Sequence, residues 1–344
     1  MRPRGHFDWH AGRIDLTHGS GGRATTELVT ELFVAAFAPG ARPELNDGTC
    51  LPVLPGRLVM ATDSHVISPL FFPGGDIGSL AVHGTINDLA MMGATPRFLS
   101  VAFILEEGLL LADLRRIVES MAHAARCAGV SIVTGDTKVV ERGKGDGVFV
   151  TTAGIGFLAD GVDISGNRAR AGDRVLVSGS LGDHGAAILA SREGLQFETT
   201  LVSDSAPLNG LVADMIKAVP DIHCLRDATR GGLAAVLNEL AHQSGVGIRV
   251  DERVIPVKAQ VKATCELLGL DPLYLANEGK LVAVCRAEAA EPLLDAMRSH
   301  PLGADSRIIG EVFTDDQCFV EMDTVLGGRR VVDWLAGDPL PRIC

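Results

Sequence analysis

Four aspartates occupy positions from which a folded chain could direct acidic side chains at one ligand. One lies in a predicted turn, one at the end of a predicted strand, one in a predicted helix and one before a glycine-rich helix start; they are Asp47, Asp63, Asp88 and Asp227. Without a cation, each close pair of carboxylates would cost on the order of 4 kcal/mol at an effective dielectric constant of 20. Carboxylate oxygens suit Mg²⁺, which proteins often share with nucleotide phosphates. If the four converge, they therefore favour a Mg²⁺–nucleotide site; otherwise each is a turn former, a strand-end cap or a solvated acid.

A glycine-rich turn, HGSGG at residues 18–22, precedes a predicted helix over residues 23–37. Gly21 and Gly22 would leave backbone N–H groups free to bind a phosphate. The turn is not a Walker A loop, because no Gly-Lys-Ser or Gly-Lys-Thr follows it. A plain helix entry is the alternative interpretation.

A short apolar run at residues 130–133 predicts a buried strand that carries Gly135, Asp136, Thr137 and Lys138 at its carboxyl end. Ligands tend to bind at such strand ends in α/β sheets. Lys138 is therefore a candidate for binding an anion. The alternative is a surface lysine in a loop.

The final residue is a cysteine, Cys344, on a tail with prolines at positions 339 and 341. Prolines disfavour helix and favour an extended run, so about eight residues at polyproline spacing would reach roughly 25 Å. The seven cysteines are scattered and contain no CxxC pair, which is typical of reduced thiols and not of a disulfide framework or a zinc ribbon. The tail is either a frayed terminus or a carrier that brings Cys344 to a site elsewhere in the chain.

The bulk composition limits the class of protein. A length of 344 residues predicts two domains. The net charge of −12 argues against a nucleic-acid partner, whose phosphates attract an excess of Lys and Arg. No run approaches the ~18 apolar residues of a membrane span, and the first 14 residues have no apolar signal core. A cytoplasmic protein without a membrane partner is the expectation.

Short β-branched runs alternate with amphipathic helical patterns, which indicates an α/β or α+β fold. The pattern loosens over residues 159–172, where Gly, Asp and Arg crowd together, so the domain boundary is predicted there. In the second half, the motif Asn277-Glu278-Gly279-Lys280 immediately precedes an apolar strand at residues 281–285.

Seven motifs spread from residue 18 to residue 344 resemble the hydrogenase maturation HypE family. This family belongs to the superfamily of aminoimidazole ribonucleotide synthetase and selenophosphate synthetase, which act with the γ-phosphate of ATP. The motifs are HGSGG (18–22), TDSHVISPLFFPGG (62–75), FILEEG (103–108), VTGDTKVV (133–140), LRDATRGG (225–232), ANEGKL (276–281) and PRIC (341–344).

The resemblance implies that a carbamoyltransferase, HypF, loads a carbamoyl group onto Cys344. The chain would then use ATP and Mg²⁺ to dehydrate this S-carboxamide to a thiocyanate. The cyanide would pass to the iron of a nickel–iron hydrogenase on a HypC–HypD scaffold. A related ATP-dependent ligase or phosphotransferase for small molecules, with an incidental tail cysteine, is the alternative. A non-catalytic carrier with a structural nucleotide site is the second alternative.

The resemblance also implies roles for the site residues. Cys344 is the modified residue, Glu278 the candidate base and Lys138 the cation that neutralises the transferred phosphoryl group. A carboxylate at the mouth of an apolar strand should have a raised pKa, which suits proton abstraction near neutral pH. Metal and nucleotide positions complete the set: Asp47, Asp63, Asp88 and Asp227 for Mg²⁺, and Gly21, Gly22, Asp136, Thr137, Lys138 and Arg230 for ATP. Asp47 matches less well than the others, because Asn46 stands where relatives often carry a second acid.

The implied fold is α+β and synthetase-like, with two domains. Residues 14–160 would form an ATP-binding domain that pairs across a two-fold axis, so that two small sheets close into a β-barrel and the chain is a homodimer. Residues 165–335 would form a C-terminal α/β sandwich domain. Residues 336–344 would be a mobile tail that carries the modified cysteine.

Overall fold

The computed structural model describes residues 7–40, 46–192 and 201–335, together with residue 337. The predicted helix over residues 23–37 is continuous but contains a π-helical segment, Val29–Val34. The α-helices in chain order are α1 (Arg23–Leu28), α2 (Ala35–Phe37), α3 (Ile77–Met91), α4 (Leu111–Cys127), α5 (Asp183–Arg192), α6 (Asn209–Ala218), α7 (Gly232–Ser244), α8 (Ala259–Leu268) and α9 (Ala290–Ser299).

The strands fall into a two-stranded, a four-stranded and a seven-stranded sheet. Strands β2 and β3 pair with each other in a small hairpin. The strands are β1 (Arg57–His65), β2 (Phe71–Phe72), β3 (Gly75–Asp76), β4 (Thr95–Glu106), β5 (Ser131–Val140), β6 (Val148–Leu158), β7 (Arg174–Val177), β8 (Cys224–Asp227), β9 (Gly247–Asp251), β10 (Leu281–Cys285), β11 (Arg307–Phe313), β12 (Val320–Asp323) and β13 (Arg329–Val331).

The four-stranded sheet of the N-terminal half has the order β1-β6-β4-β5. Its pairs are antiparallel except for β4 and β5, which are parallel. Burial alternates along β6, so one face of the sheet packs on the core and the other is open. Leu58, Met60 and Ile104 lie exposed by 70%, 72% and 42%.

Helix α3 runs along the covered face of this sheet and is buried along almost its whole length. Its first turn is fixed by Asp76, whose carboxylate accepts hydrogen bonds from the N–H groups of Gly78 and Ser79. The Ser79 hydroxyl in return accepts from the Asp76 N–H, which completes a capping box. The helix therefore begins at Ile77, directly after its cap Asp76.

The seven-stranded sheet of the C-terminal half has the order β13-β12-β9-β11-β7-β10-β8. Its neighbours pair antiparallel, except for the parallel pair β9 and β12. The halves share hydrophobic cores: Ala90 and Met91 of α3 pack in one buried cluster with Leu208 and Leu281. This common core fixes the acidic side chains of α3 relative to strands β8 and β10.

The predicted mixed fold of helices and sheets is confirmed. Neither large sheet closes on itself within the described ranges, so the predicted dimeric barrel stays a prediction. The predicted mobile tail, residues 336–344, lies outside the described residues except for Gly337. In the described part of the chain, no helix is long and apolar enough to cross a membrane.

The strand predicted at residues 130–133 is longer in the structure, where it spans Ser131–Val140. Strand β5 continues to Val140, so Gly135, Asp136, Thr137 and Lys138 lie inside an edge strand and not in a loop at its end. Pairing with β4 overrides the turn-forming tendency of Gly135, whose Cβ position would lie 2.5 Å from the Val101 carbonyl oxygen.

Candidate active site

Strand β1 and helix α3 bring Asp63 and Asp88 together. Asp63 lies on the covered side of β1, and its Oδ2 is 3.3 Å from Nε2 of the buried His65. Gly84 allows α3 to approach this point, because a Cβ there would lie 3.0 Å from Asp63 Oδ2 and 2.9 Å from His65 Nε2. Asp88 follows Gly84 by four residues and therefore shares its helix face.

The C-terminal sheet supplies Asp227 and Glu278. Asp227 is the last residue of β8 and pairs in register with Leu281, the first residue of β10. Glu278 precedes β10 by three residues, so both carboxylates reach the same end of the sheet. Asn277 ties these segments together: its side chain donates to the Ala228 carbonyl at 2.9 Å and accepts from the Gly182 N–H at 2.7 Å.

The acidic side chains enclose a small pocket of about 120 Å³ between the two halves of the chain. Arg230 is the cation in this lining, and its Nη2 lies 3.9 Å from Asp63 Oδ1. We call this the acidic pocket; its lining is Asp63, Ser64, Asp88, Asp227, Thr229, Arg230 and Glu278.

Crowding and burial raise the pKa values of Asp88 and Asp227. Burial, with the neighbouring charges of Asp227 and Asp63, raises the pKa of Asp88 to about 7. Burial raises the pKa of Asp227 to about 6, and Arg226 opposes that shift. Such shifts mark groups that a positive ligand would ionise.

Glu278 is the most enclosed acid of the pocket. It is 3% exposed, and its Oε1 is buried without a hydrogen-bond partner. Burial, followed by the charges of Asp227, Asp204 and Asp63, raises its pKa well above the ordinary value, while Arg230 lowers it. The raised pKa that the sequence predicted for Glu278 is therefore confirmed.

The donor set fits a hard divalent cation. Asp63, Asp88 and Asp227 offer only oxygen ligands, and their mutual repulsion is the penalty that a cation would remove. Within residues 7–40, 46–192 and 201–335, no three acidic, histidine or cysteine side chains stand close enough to form a ready-made metal cage. Mg²⁺ keeps waters and binds substrate phosphates as well as carboxylates, so it does not need a complete set of protein ligands.

Several predicted site residues lie outside the acidic pocket. Asp47 is exposed in a turn and does not line it. Asp136 and Lys138 form an exposed ion pair on β5, with Lys138 Nζ 2.7 Å from Asp136 Oδ2. The Thr137 N–H also donates to Asp136, at 2.8 Å.

The glycine turn lies beside strand β5 and does not line the acidic pocket. Gly21 has φ +78° and no atom within 4 Å of its Cβ position, and Gly22 precedes α1. Gly19 packs on Val139, the neighbour of Lys138, because its Cβ position is 2.7 Å from the Val139 nitrogen. The predicted nucleotide residues thus form two groups, one at the acidic pocket and one at β5.

Cys344 lies outside the described residues, so its predicted role rests on the sequence. Two lining residues, Ser64 and Thr229, were missed. Both stand beside predicted site residues, in Asp63-Ser64 and in Thr229-Arg230, and a hydroxyl group next to a predicted site residue was the available signal.

Known proteins resemble the chain over its whole length. The model of the AIR synthase related protein N-terminal domain matches residues 46–158, and that of the C-terminal domain matches residues 170–323. A carbamoyl dehydratase HypE from Azotobacter vinelandii is 63% identical over 338 residues, covering 98% of this chain and 99% of the relative.

Solved HypE structures have the same fold. One in complex with ATP aligns with a TM-score of 0.92 and 51% identity, covering 96% of this chain and 99% of the other. A HypE–HypF complex contains a chain that aligns with a TM-score of 0.79 and 50% identity, covering 90% and 99%. This chain belongs to the HypE carbamoyl dehydratase family of AIR synthase related proteins.

Proposed function

We propose that this chain uses ATP to dehydrate an S-carboxamide on its own Cys344 to a thiocyanate, which supplies cyanide for the iron of a nickel–iron hydrogenase. The observation that carries this proposal is Glu278, a buried carboxyl with an unpartnered oxygen beside three aspartates suited to Mg²⁺ and phosphate. The match to carbamoyl dehydratases over nearly the full chain supports it.

The chemistry needs a phosphoryl group and the removal of two protons. Transfer of the γ-phosphoryl group of ATP to the carboxamide oxygen makes that oxygen part of a phosphate leaving group. Loss of phosphate and of both N–H protons leaves the C≡N bond, so the products are the thiocyanate, ADP and phosphate. Ionised Glu278 accepts one of these protons through its free Oε1.

The acidic pocket must be partly neutralised for Glu278 to act as a base. Arg230 already lowers the Glu278 pKa. Bound Mg²⁺ would supply positive charge for the phosphates, and Asp63, Asp88 and Asp227 would hold it. Asp47 remains a predicted fourth ligand of this metal ion. Its side chain is exposed in this structure.

A fully extended tail would be long enough to reach the pocket of its own chain. Before the tail, the Val332 carbonyl accepts from Asn238 at 2.9 Å, and the Trp334 ring lies 5.5 Å from His242. His242 lies ten residues along α7 from Gly232, or about 15 Å, and Gly232 follows the pocket residue Arg230 closely. A reach of about 25 Å covers this path.

We propose a homodimer formed through the open face of the four-stranded sheet. The exposed side chains of Leu58, Met60 and Ile104 support this pairing, since large apolar groups on one open face favour association. By register, Asp136 lies level with Ser64, across three strand spacings or about 14 Å. Asp136 and Lys138 share this face, so pairing would enclose them. With Gly21 and Gly22 they remain the predicted phosphate-binding group.

The partners and the domain division follow from the family. The relative seen in complex with HypF supports a HypF-type carbamoyltransferase as the donor, and a HypC–HypD complex is the expected acceptor. The proposed domains are residues 14–160 and 165–335, each with its own large sheet. Cytoplasmic ATP is the expected co-substrate.

Removing Cys344 separates this function from that of a small-molecule ligase. We expect the truncated chain to lose all carbamoylation-dependent phosphate release, whereas a ligase would keep its ATP turnover.

Glu278→Gln tests the carrier alternative. An enzyme should lose about 10²- to 10⁴-fold in the dehydration rate, while a passive carrier would still end with cyanated cysteine.

A further inference from the structure

The backbone of Glu278 is held by a segment that no site motif includes. Asp204 lies in this segment, residues 201–208, and its Oδ1 accepts a hydrogen bond from the Glu278 N–H at 3.0 Å. The Asp204 side chain is 3% exposed, and its Oδ2 lies 3.4 Å from Nζ of Lys280. A Cβ on Gly279 would come within 1.8 Å of the Asp204 carbonyl oxygen, so the two backbones are in direct contact.

The other side of Glu278 is held from both halves of the chain. Its carbonyl accepts from the Ala206 N–H at 3.3 Å and from Nδ2 of Asn87 at 3.3 Å. Asn87 is fixed in turn, because its Oδ1 accepts from the Leu208 N–H at 2.7 Å. Asn87 directly precedes Asp88, so the same helical turn of α3 positions a carboxylate of the acidic pocket and the backbone of Glu278.

These contacts fix the backbone of Glu278 but do not occupy its side-chain Oε1. Its backbone N–H and C=O are both engaged, while its Oε1 has no protein partner. A base must be held close to its productive position, since a misplacement of about 1 Å costs on the order of 100-fold in rate. Among these contacts, the one to the Glu278 N–H comes from a side chain, that of Asp204.

We propose that Asp204 is a positioning residue that fixes Glu278 for proton abstraction, with Lys280 as the counter-ion of Asp204. The proposal rests on the proposed role of Glu278 as the base. Asp204 acts through the backbone of Glu278 and touches neither Cys344 nor ATP in this role.

Two variants separate the position of the Asp204 carboxylate from its charge. Asp204→Asn keeps an oxygen acceptor for the Glu278 N–H and loses the charge; Asp204→Glu keeps the charge and moves the acceptor by one methylene. The measurement is the single-turnover rate of dehydration in full-length protein already carbamoylated on Cys344. We expect Asp204→Glu to be slower by about 10- to 100-fold and Asp204→Asn to stay within about threefold of the native rate, with the KM for ATP unchanged in both.

The reverse order, with Asp204→Asn slower than Asp204→Glu, would overturn the positioning role and assign the effect to charge. The Glu278→Gln background adds the second measurement. There Asp204→Glu should cost nothing further, because the two residues act as one unit. An equal cost in both backgrounds would mark Asp204 as a purely structural residue and also overturn the proposal.

Asp173→Asn is the matched control. Asp173 is a buried carboxylate paired with His223 at 2.7 Å. It directly precedes Arg174, which pairs with Cys285 at the end of β10 that lies far from Glu278. Its loss should lower stability and leave the dehydration rate unchanged. A native rate for Glu278→Gln itself would refute the base assignment, whereas a slow Glu278→Gln with a native Asp204→Glu would refute only the role of Asp204.

Discussion

At the scale of single residues, the acidic pocket stores electrostatic repulsion that a cation relieves. Asp88, Asp227 and Glu278 all have raised pKa values, because burial removes water and neighbouring carboxylates repel each other. The same feature that weakens the metal-free protein would therefore favour binding of a cation, which we propose to be Mg²⁺.

This repulsion predicts an unusual pH dependence of stability. An acid whose pKa rises from 3.8 unfolded to about 7 folded binds more protons in the folded state over that interval. The free energy of unfolding of the metal-free protein should therefore fall as the pH rises from about 4 to about 7. We expect Asp88→Asn to raise the Tm of the metal-free protein at pH 8 by roughly 1–2 °C for each kcal/mol regained in a chain of this length.

Thermal unfolding at pH 5 and pH 8, with and without Mg²⁺, measures this effect. Mg²⁺ should stabilise the native protein more at pH 8 than at pH 5, and should lose most of its effect on Asp88→Asn. A native protein that gains stability from pH 5 to pH 8 without metal, and an Asp88→Asn variant that is no more stable, would contradict the repulsion.

Sequence alone could predict these residues but not their grouping. Asp63, Asp227, Arg230 and Glu278 lie in the quoted motifs and Asp88 in a predicted helix, and the structure brings all five together. Asp204 was not chosen, because an aspartate between two serines has no spacing that points to Glu278. Its role depends on a contact between residues 74 positions apart, which local pattern cannot reveal.

At the scale of elements, the close approach of α3 to β1 builds the acidic pocket. Gly84 permits that approach, and a methyl group there would meet Asp63 and His65 at 3.0 Å and 2.9 Å. We expect Gly84→Ala to destabilise the fold by roughly 1–3 kcal/mol, as overpacking does, and to weaken Mg²⁺-dependent ATP binding.

Denaturant unfolding and ATP titration measure both effects. Gly328→Ala is the control, since the nearest atom to its Cβ position, Thr324 Oγ1, lies at an ordinary 3.5 Å. Native ATP affinity in a folded Gly84→Ala variant would show that the spacing of α3 and β1 does not set the pocket.

The length of the tail decides whether Cys344 can reach the acidic pocket. Deleting residues 338–341 would shorten its reach by about 12 Å, from about 25 Å to about 13 Å, which is less than the ~15 Å path along α7. We expect the deletion to abolish dehydration and to leave HypF-dependent carbamoylation of the terminal cysteine intact. Mass spectrometry of the terminal peptide distinguishes the two products; full cyanation of the shortened tail would contradict delivery along this path.

Element type was easier to predict than element extent. The helix at residues 23–37 and the strand at residues 281–285 stand at their predicted places, because hydrophobic periodicity is a local property. Strand β5 runs further than predicted because its second half gains its partner from β4, through the register Phe103 to Thr137. The placement of Lys138 on an exposed strand face follows from that pairing.

At the scale of the whole molecule, each half has its own large sheet. The halves contribute residues to common hydrophobic clusters and to the acidic pocket. The open face of the four-stranded sheet is the surface that we expect to pair. Met60→Glu would bury a charge in that interface and should weaken the dimer by at least about 100-fold. Leu326→Glu is the control, because Leu326 is 94% exposed in the hairpin between β12 and β13, away from this face.

Sedimentation at micromolar concentration measures both variants. We expect Met60→Glu to be monomeric and Leu326→Glu to sediment as the native dimer. A monomeric native chain, or a Met60→Glu variant that still dimerises, would remove this face as the interface.

We propose above that the chain converts its own terminal cysteine. The most direct measurement is the intact mass of the C-terminal peptide after incubation with HypF, carbamoyl phosphate, ATP and Mg²⁺. We expect Cys344 to gain about 25 Da as a thiocyanate with ATP, and about 43 Da as a carboxamide when the protein, once carbamoylated, is held without ATP. An unmodified peptide in the presence of active HypF would contradict the claim.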